Sequence, residues 1–189
     1  MKKIFAFICS LTMIFTVVSP VSAKNSVDVD VTYLSPTLEE YIVTDGDEKH
    51  IITIDRETYV LTIDGEKFVP KISEIPMTRA TVDYSSGLYL EYDIPWRGAA
   101  AMTAAIMAAV PGLGWTIAGA IVGAIAAEGE KLYITLTQYS SKESYYSSYT
   151  CSYYKKAINK NIKAYSKSIS PSNLIYGPVD GAWFDPVRP

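Results

Sequence analysis

Thirty consecutive residues without a charge, 98–127 (GAAAMTAAIMAAVPGLGWTIAGAIVGAIAA), constrain this chain more than any other feature. Such a segment has to leave water, either beneath other secondary structure or in a bilayer. Residues 99–110 are alanine-rich, with good helix propensity and Thr103 as their one polar side chain; Pro111-Gly112-Leu113-Gly114 interrupts them. Residues 115–127 then resume with Ile117, Ile121 and Ile125 on one stripe and Gly119 and Gly123, beside Ala120 and Ala127, on another. The pattern predicts a helical hairpin or one kinked helix. At about 1.5 Å per residue, an arm of about thirteen residues reaches only about 20 Å of a bilayer core about 30 Å thick, whereas the whole segment reaches about 45 Å. Three outcomes stay open: a hairpin in a soluble core, a kinked single span, and a hairpin that inserts on demand. A glycine inside a helix costs about 1 kcal/mol relative to alanine. Gly119 and Gly123 therefore predict close helix packing, within the chain or by self-association through the small-residue face.

The first residues read as a secretory signal: Met1-Lys2-Lys3, an apolar run over 4–18, and Ser19-Pro20-Val21-Ser22-Ala23, with cleavage expected after Ala23. That cut would remove Cys9 and leave Cys151 as the lone cysteine, in an alternating setting (YTCSY) that predicts packing in a strand. With His50 the single histidine, Cys/His and Ser/His catalysis and multi-histidine metal sites lose their residues. Asp55, Glu57, Asp64 and Glu66 near two turns are the nearest thing to paired carboxylates, and exposed turns ordinarily leave such groups solvated. No glycine-rich phosphate loop, nucleophile elbow or HExxH motif occurs, so no enzyme, catalytic residue, cofactor or metal is expected.

Charge is divided unevenly. Residues 24–93 hold six Lys/Arg against fifteen Asp/Glu, and residues 94–189 nine against five. Halves of about -9 and +4 attract one another or hold a basic region latent beneath an acidic one. The acidic half alternates like strands: Val27, Val29 and Val31; residues 41–44 and 51–54 around Asp45-Gly46; residues 59–63 and 67–69 around Asp64-Gly65. Pro70 and Pro76 break the pattern, and residues 88–92 give one more strand. After the uncharged segment, 132–139 and 145–154 read as strands with 140–144 as their loop, and Asn159-Lys160-Asn161 as a turn into a third strand over 162–169. The tail, with Trp183-Phe184-Asp185-Pro186, is expected to dock by its aromatics.

The fold class predicted is α+β: antiparallel β regions flanking a central apolar helical hairpin. Its segments are a signal peptide (1–23), an acidic β-rich region (24–93), the hairpin (94–128) and a basic Tyr/Lys-rich β region with a turn-rich tail (129–189). Lysines interleaved with tyrosines, above all Lys155, Lys156, Lys160 and Lys163, suit an anionic membrane or cell-envelope surface. Nucleic acid is not expected, because the chain after Ala23 has a net charge of about -5 (15 minus 20).

This layout, with the uncharged segment and the terminal Tyr176-Gly177-Pro178 and Trp183-Phe184-Asp185-Pro186, resembles small exported bacteriocin-like proteins of Gram-positive bacteria. The resemblance implies a secreted, membrane-permeabilising protein, with the acidic region as an intramolecular inhibitor and Arg79, in Met77-Thr78-Arg79-Ala80, as a processing site. The inserting residues would be Ile106, Met107, Trp115, Ile117, Gly119, Ile121, Gly123 and Ile125. Two other readings stand beside it: an exported β-rich binding or envelope protein whose hairpin is core, and a single-pass membrane protein with a kinked span.

Overall fold

The computed structural model describes residues 27–78, 83–128 and 130–189. The chain is α+β and mostly antiparallel sheet. The first sheet is a meander of five strands in sequence order: β1 (Asp28–Tyr33), β2 (Leu38–Asp45), β3 (Glu48–Asp55), β4 (Leu61–Ile63) and β5 (Glu66–Phe68). Two of its four turns are built by glycine at positive φ. Gly46 (φ 62°) opens the two-residue loop that closes on the Asp45↔Glu48 pair, and Asp64 (φ 50°) with Gly65 (φ 86°) forms the primed turn between β4 and β5. The period-2 faces of β2, β3 and β4 put Tyr41, Val43, Ile52, Ile54, Leu61 and Ile63 in the core. The expected half-burial of the Val27-Val29-Val31 strand is only partly realised. β1 is an edge strand paired to β2 alone; Val29 packs on the core while Val27 and Val31 are exposed.

A second sheet runs in the order β12 (Leu174–Val179), β11 (Ala157–Ser166), β8 (Lys131–Ser141), β7 (Tyr84–Pro95), β6 (Lys71–Glu74), with β13 (Trp183–Phe184) also paired to β11. The acidic segment thus contributes β6 and β7 to the same sheet as the basic segment. β7 and β8 pair over their whole length, ending at Pro95↔Lys131, and Trp96 N–H donates to the Glu130 carbonyl at 2.9 Å. The uncharged segment leaves the fold between these two paired strands and returns there.

That segment forms two helices, α1 (Ala99–Ala109) and α2 (Trp115–Ala126), which pack on one another. Each helix is preceded by a glycine at positive φ, Gly98 (88°) and Gly114 (85°), a geometry that admits the abrupt entry. α1 packs against β2, β3 and β4, and α2 against β12. One hydrophobic cluster joins both helices to the inward residues of both sheets, Leu90, Tyr92, Ile94, Leu132, Ile134 and Ile162 among the latter.

Two sequence expectations are corrected. Asn159-Lys160-Asn161 is no turn: β11 runs through it, with a bulge between Lys160 and Lys163 and Asn161 at φ 51°. Asparagine tolerates the left-handed region, so a bulge and a turn carry the same signal. Residues 145–154 are not one strand but a tight hairpin, β9 (Tyr145–Ser147) and β10 (Ser152–Tyr154). The Ser147 hydroxyl accepts the Thr150 N–H at 3.1 Å and folds the tip locally.

Candidate functional site

The residues predicted to enter a membrane separate into two environments. Ile106, Ile121 and Ile125 are fully buried in the core, and Met107 and Ile117 are half-buried against it. Trp115 is 45% exposed. Gly119 and Gly123, expected to pack helix on helix, instead lie on the exposed side of α2, and a Cβ at either would meet open space. Ala118, Ile121, Val122 and Ile125 are the buried residues of α2, which leaves the glycine stripe outward. Ala23 and Arg79, the candidate processing residues, lie outside the described residues.

The hairpin is pinned at its turn. Arg56, at the end of β3, is buried and donates from Nε to Glu39 Oε1 at 2.9 Å, from Nη2 to Glu39 Oε2 at 2.7 Å and from Nη1 to the Ala108 carbonyl at 2.5 Å. Ala108 lies in the last turn of α1, where carbonyls have no intrahelical donor and the helix dipole favours a cation. The Tyr41 hydroxyl donates to Glu39 Oε2 at 2.9 Å; burial is the main reason its pKa stands well above the ordinary phenol value. Phe184 packs beneath the guanidinium, 5.9 Å from ring centre. Beyond α1, Asn159 Nδ2 donates to the Pro111 carbonyl at 3.1 Å and Ala182 N–H to the Gly112 carbonyl at 3.0 Å. Sequence reasoning missed this clamp, although a signal was present. Glu39 shares its phase with Tyr41 and Val43, and Arg56 continues the phase of Ile52 and Ile54, so opposite charges fall on the inward faces of neighbouring strands.

The four lysines do not form one patch. Lys156 sits 4.8 Å over the Tyr145 ring and 3.6 Å from Asp185, and Lys160 pairs with Asp180 at 3.4 Å. Lys163 is half-buried on β11, and Lys155 is exposed beside β10. Among the described residues, neither of these two, nor Lys142, makes an ion pair. The β9–β10 segment exposes three tyrosines that sequence reasoning did not single out: Tyr146 (56% exposed), Tyr149 (50%) and Tyr153 (75%). Tyr146 and Tyr153 are cross-strand partners, their rings edge to face at 5.4 Å. Arg188 lies 4.3 Å over the Tyr149 ring and 5.5 Å over Tyr33, so the tail docks by its charge as well as its aromatics. Cys151, expected to be packed, is exposed at the tip of this hairpin at φ 52°, because the strand that would have buried it turns there.

Of the turn carboxylates, Asp55 and Asp64 accept backbone N–H groups, and Asp64 and Glu66 pair with cationic side chains or the His50 ring. Asp55 accepts Glu57 N–H and Thr58 Oγ1–H, each at 2.9 Å; burial raises its pKa, but hydrogen bonds to Glu57 and Thr58 outweigh this and hold it below the usual carboxylate value. Asp64 pairs with His50 Nδ1 at 2.8 Å and accepts Ile51 N–H at 2.9 Å, and Glu66 pairs with Arg97. Among the described residues, no group of three or more His, Cys, Asp or Glu is placed to hold a metal ion. No family model, curated protein or solved structure matches this chain.

Proposed function

We propose that this is an exported, envelope-associated binding protein in which the apolar helical hairpin, flanked by the two sheets, is structural core and the basic, tyrosine-rich surface of the second half makes the contact. The burial of α1 carries this reading: eight of its eleven residues are buried. Moving α1 into lipid would expose the inward faces of β2, β3 and β4 and strand the Arg56–Glu39 pair, whose third partner is the α1 carbonyl of Ala108. No helix among the described residues is long and apolar enough to cross a membrane. The experiment is dye release from anionic and zwitterionic vesicles by the purified chain, alongside binding to isolated cell envelope. The expected result is binding without release at any lipid composition; release from anionic vesicles overturns the reading.

One observation favours membrane activity as a second reading. The outer side of α2 carries no charge, and it exposes Trp115, Thr116, Gly119, Ala120, Gly123 and Ala124. A tryptophan on an uncharged helix face suits the membrane interface. Under that reading the hairpin is held latent in water by the Arg56 clamp, release requires anionic lipid and weakens with salt, and Arg56→Met speeds it.

A further inference from the structure

We infer that the outer face of the β9–β10 hairpin, built by Tyr146 and Tyr153 with Lys155 two residues beyond Tyr153, is a docking surface for an acidic polysaccharide. The inference rests on the binding-protein reading and names the ligand class for its surface. The two faces of this hairpin do different work. The inner face is anchored: Ser147 Oγ donates to the Arg188 carbonyl at 2.6 Å, Tyr154 Oη to Asp185 at 2.6 Å, and Tyr145 lies under Lys156. On the outer face, Tyr146 and Tyr153 touch one another and are otherwise open to water, which adds little to stability. Clustered exposed aromatic rings on a rigid support mark an interaction site. Tyrosine supplies large contact area at low entropic cost, with a hydroxyl at its tip.

The chemistry of the patch selects its occupant. A sugar ring has an apolar C–H face that stacks on an aromatic ring and a rim of hydroxyls that exchange hydrogen bonds. The exposed rings of Tyr146 and Tyr153, each with a hydroxyl at its tip, offer both kinds of contact. Charge complementarity supplies the acidic character. Lys155 is exposed and makes no ion pair among the described residues, while Glu143 is engaged by the Tyr145 hydroxyl and Asp185 by Tyr154 and Lys156. Residues 145–155 (YYSSYTCSYYK) contain no Leu, Ile, Val, Phe or Trp to bury in acyl chains, so a bilayer is the poorer match.

The test uses the full chain on an array of immobilised acidic polysaccharides (uronate, phosphate-bearing and sulfated), neutral polysaccharides, linear polyphosphate and phosphatidylglycerol vesicles. Retention on acidic polysaccharides is expected, at least tenfold stronger than on neutral ones or on polyphosphate. Tyr146→Ala/Tyr153→Ala should reduce it at least tenfold with an unchanged circular dichroism spectrum. Lys155→Gln should weaken it and flatten its salt dependence. Retention on no acidic polysaccharide, retention unaffected by the tyrosine variants, or preference for vesicles or polyphosphate overturns the assignment. Envelope binding without dye release keeps the parent reading even then, whereas dye release removes it, so the two failures are distinguishable.

Discussion

Replacing Arg56 by methionine keeps the length of the side chain and removes a buried cation, leaving Glu39 buried without its partner. It also takes the donor from the Ala108 carbonyl at the end of α1. Breaking a buried pair from one side costs about 3–5 kcal/mol, because the surviving charge is desolvated and uncompensated. Adding Glu39→Gln removes that charge while keeping an acceptor for the Tyr41 hydroxyl. What remains is chiefly the unpaired Ala108 carbonyl, worth about 1–3 kcal/mol. The double variant should therefore be more stable than the single one by about 2 kcal/mol. The assay is urea unfolding followed by tryptophan fluorescence. With a slope of about 2 kcal/mol per molar, the single variant's midpoint should fall by about 2 M and the double variant's by about 1 M. A single variant within about 1 kcal/mol of the parent, or a double variant no more stable than the single, would refute the clamp as described.

Three further outcomes follow from the geometry. Gly119→Ala and Gly123→Ala place a methyl in open space on an exposed helix, so each should raise stability by up to about 1 kcal/mol in thermal unfolding; a loss would show that the stripe is packed against something in solution. Gly112→Ala should destabilise by at least about 1–3 kcal/mol, since φ is 82° and the new Cβ would sit 2.4 Å from the Ala182 carbonyl oxygen; an unchanged urea midpoint would mean that the turn is not pinned to the tail. Because the folded pKa of Asp55 lies below its unfolded value near 4, its stabilisation is complete above pH about 4 and is lost as pH falls through the folded value. Asp55→Asn should accordingly lose less stability than the parent between pH 5 and 2, and parallel acid profiles would rule this contribution out.

Much of the β architecture was legible locally. The alternation of Tyr41, Val43, Ile52 and Ile54 and the two Asp-Gly signals place β2 to β5 without tertiary information, since side-chain phase and turn φ are properties of the neighbouring residues. Bulges and short hairpins were not. Asn161 accepts a positive φ in either a turn or a bulge, and continuation of the ladder toward β12 and β8, with Asp180 accepting the Asn161 N–H at 2.9 Å, is what makes it a bulge. Nor could local sequence separate Tyr145 and Tyr154 from Tyr146 and Tyr153. All four alternate, and only the docked tail, through Asp185 and Arg188, decides which pair faces inward.

By itself the sequence determined that residues 98–127 are helix-forming and must bury much of their apolar surface, and that Pro111-Gly112 interrupts them, because both follow from the absence of charge and from backbone chemistry; a kink and a break into two helices carry the same local signal. Only the tertiary structure decided what does the covering. α1 could meet lipid or sheet equally well by its composition, and its alanines admit the close approach of β2, β3 and β4. The partner that covers it comes from far along the chain, as does the Arg56–Glu39 pair that holds it. The outward placement of Gly119, Gly123, Tyr146 and Tyr153 was decided in the same way, since which face of an element is left over depends on what has already packed against the other.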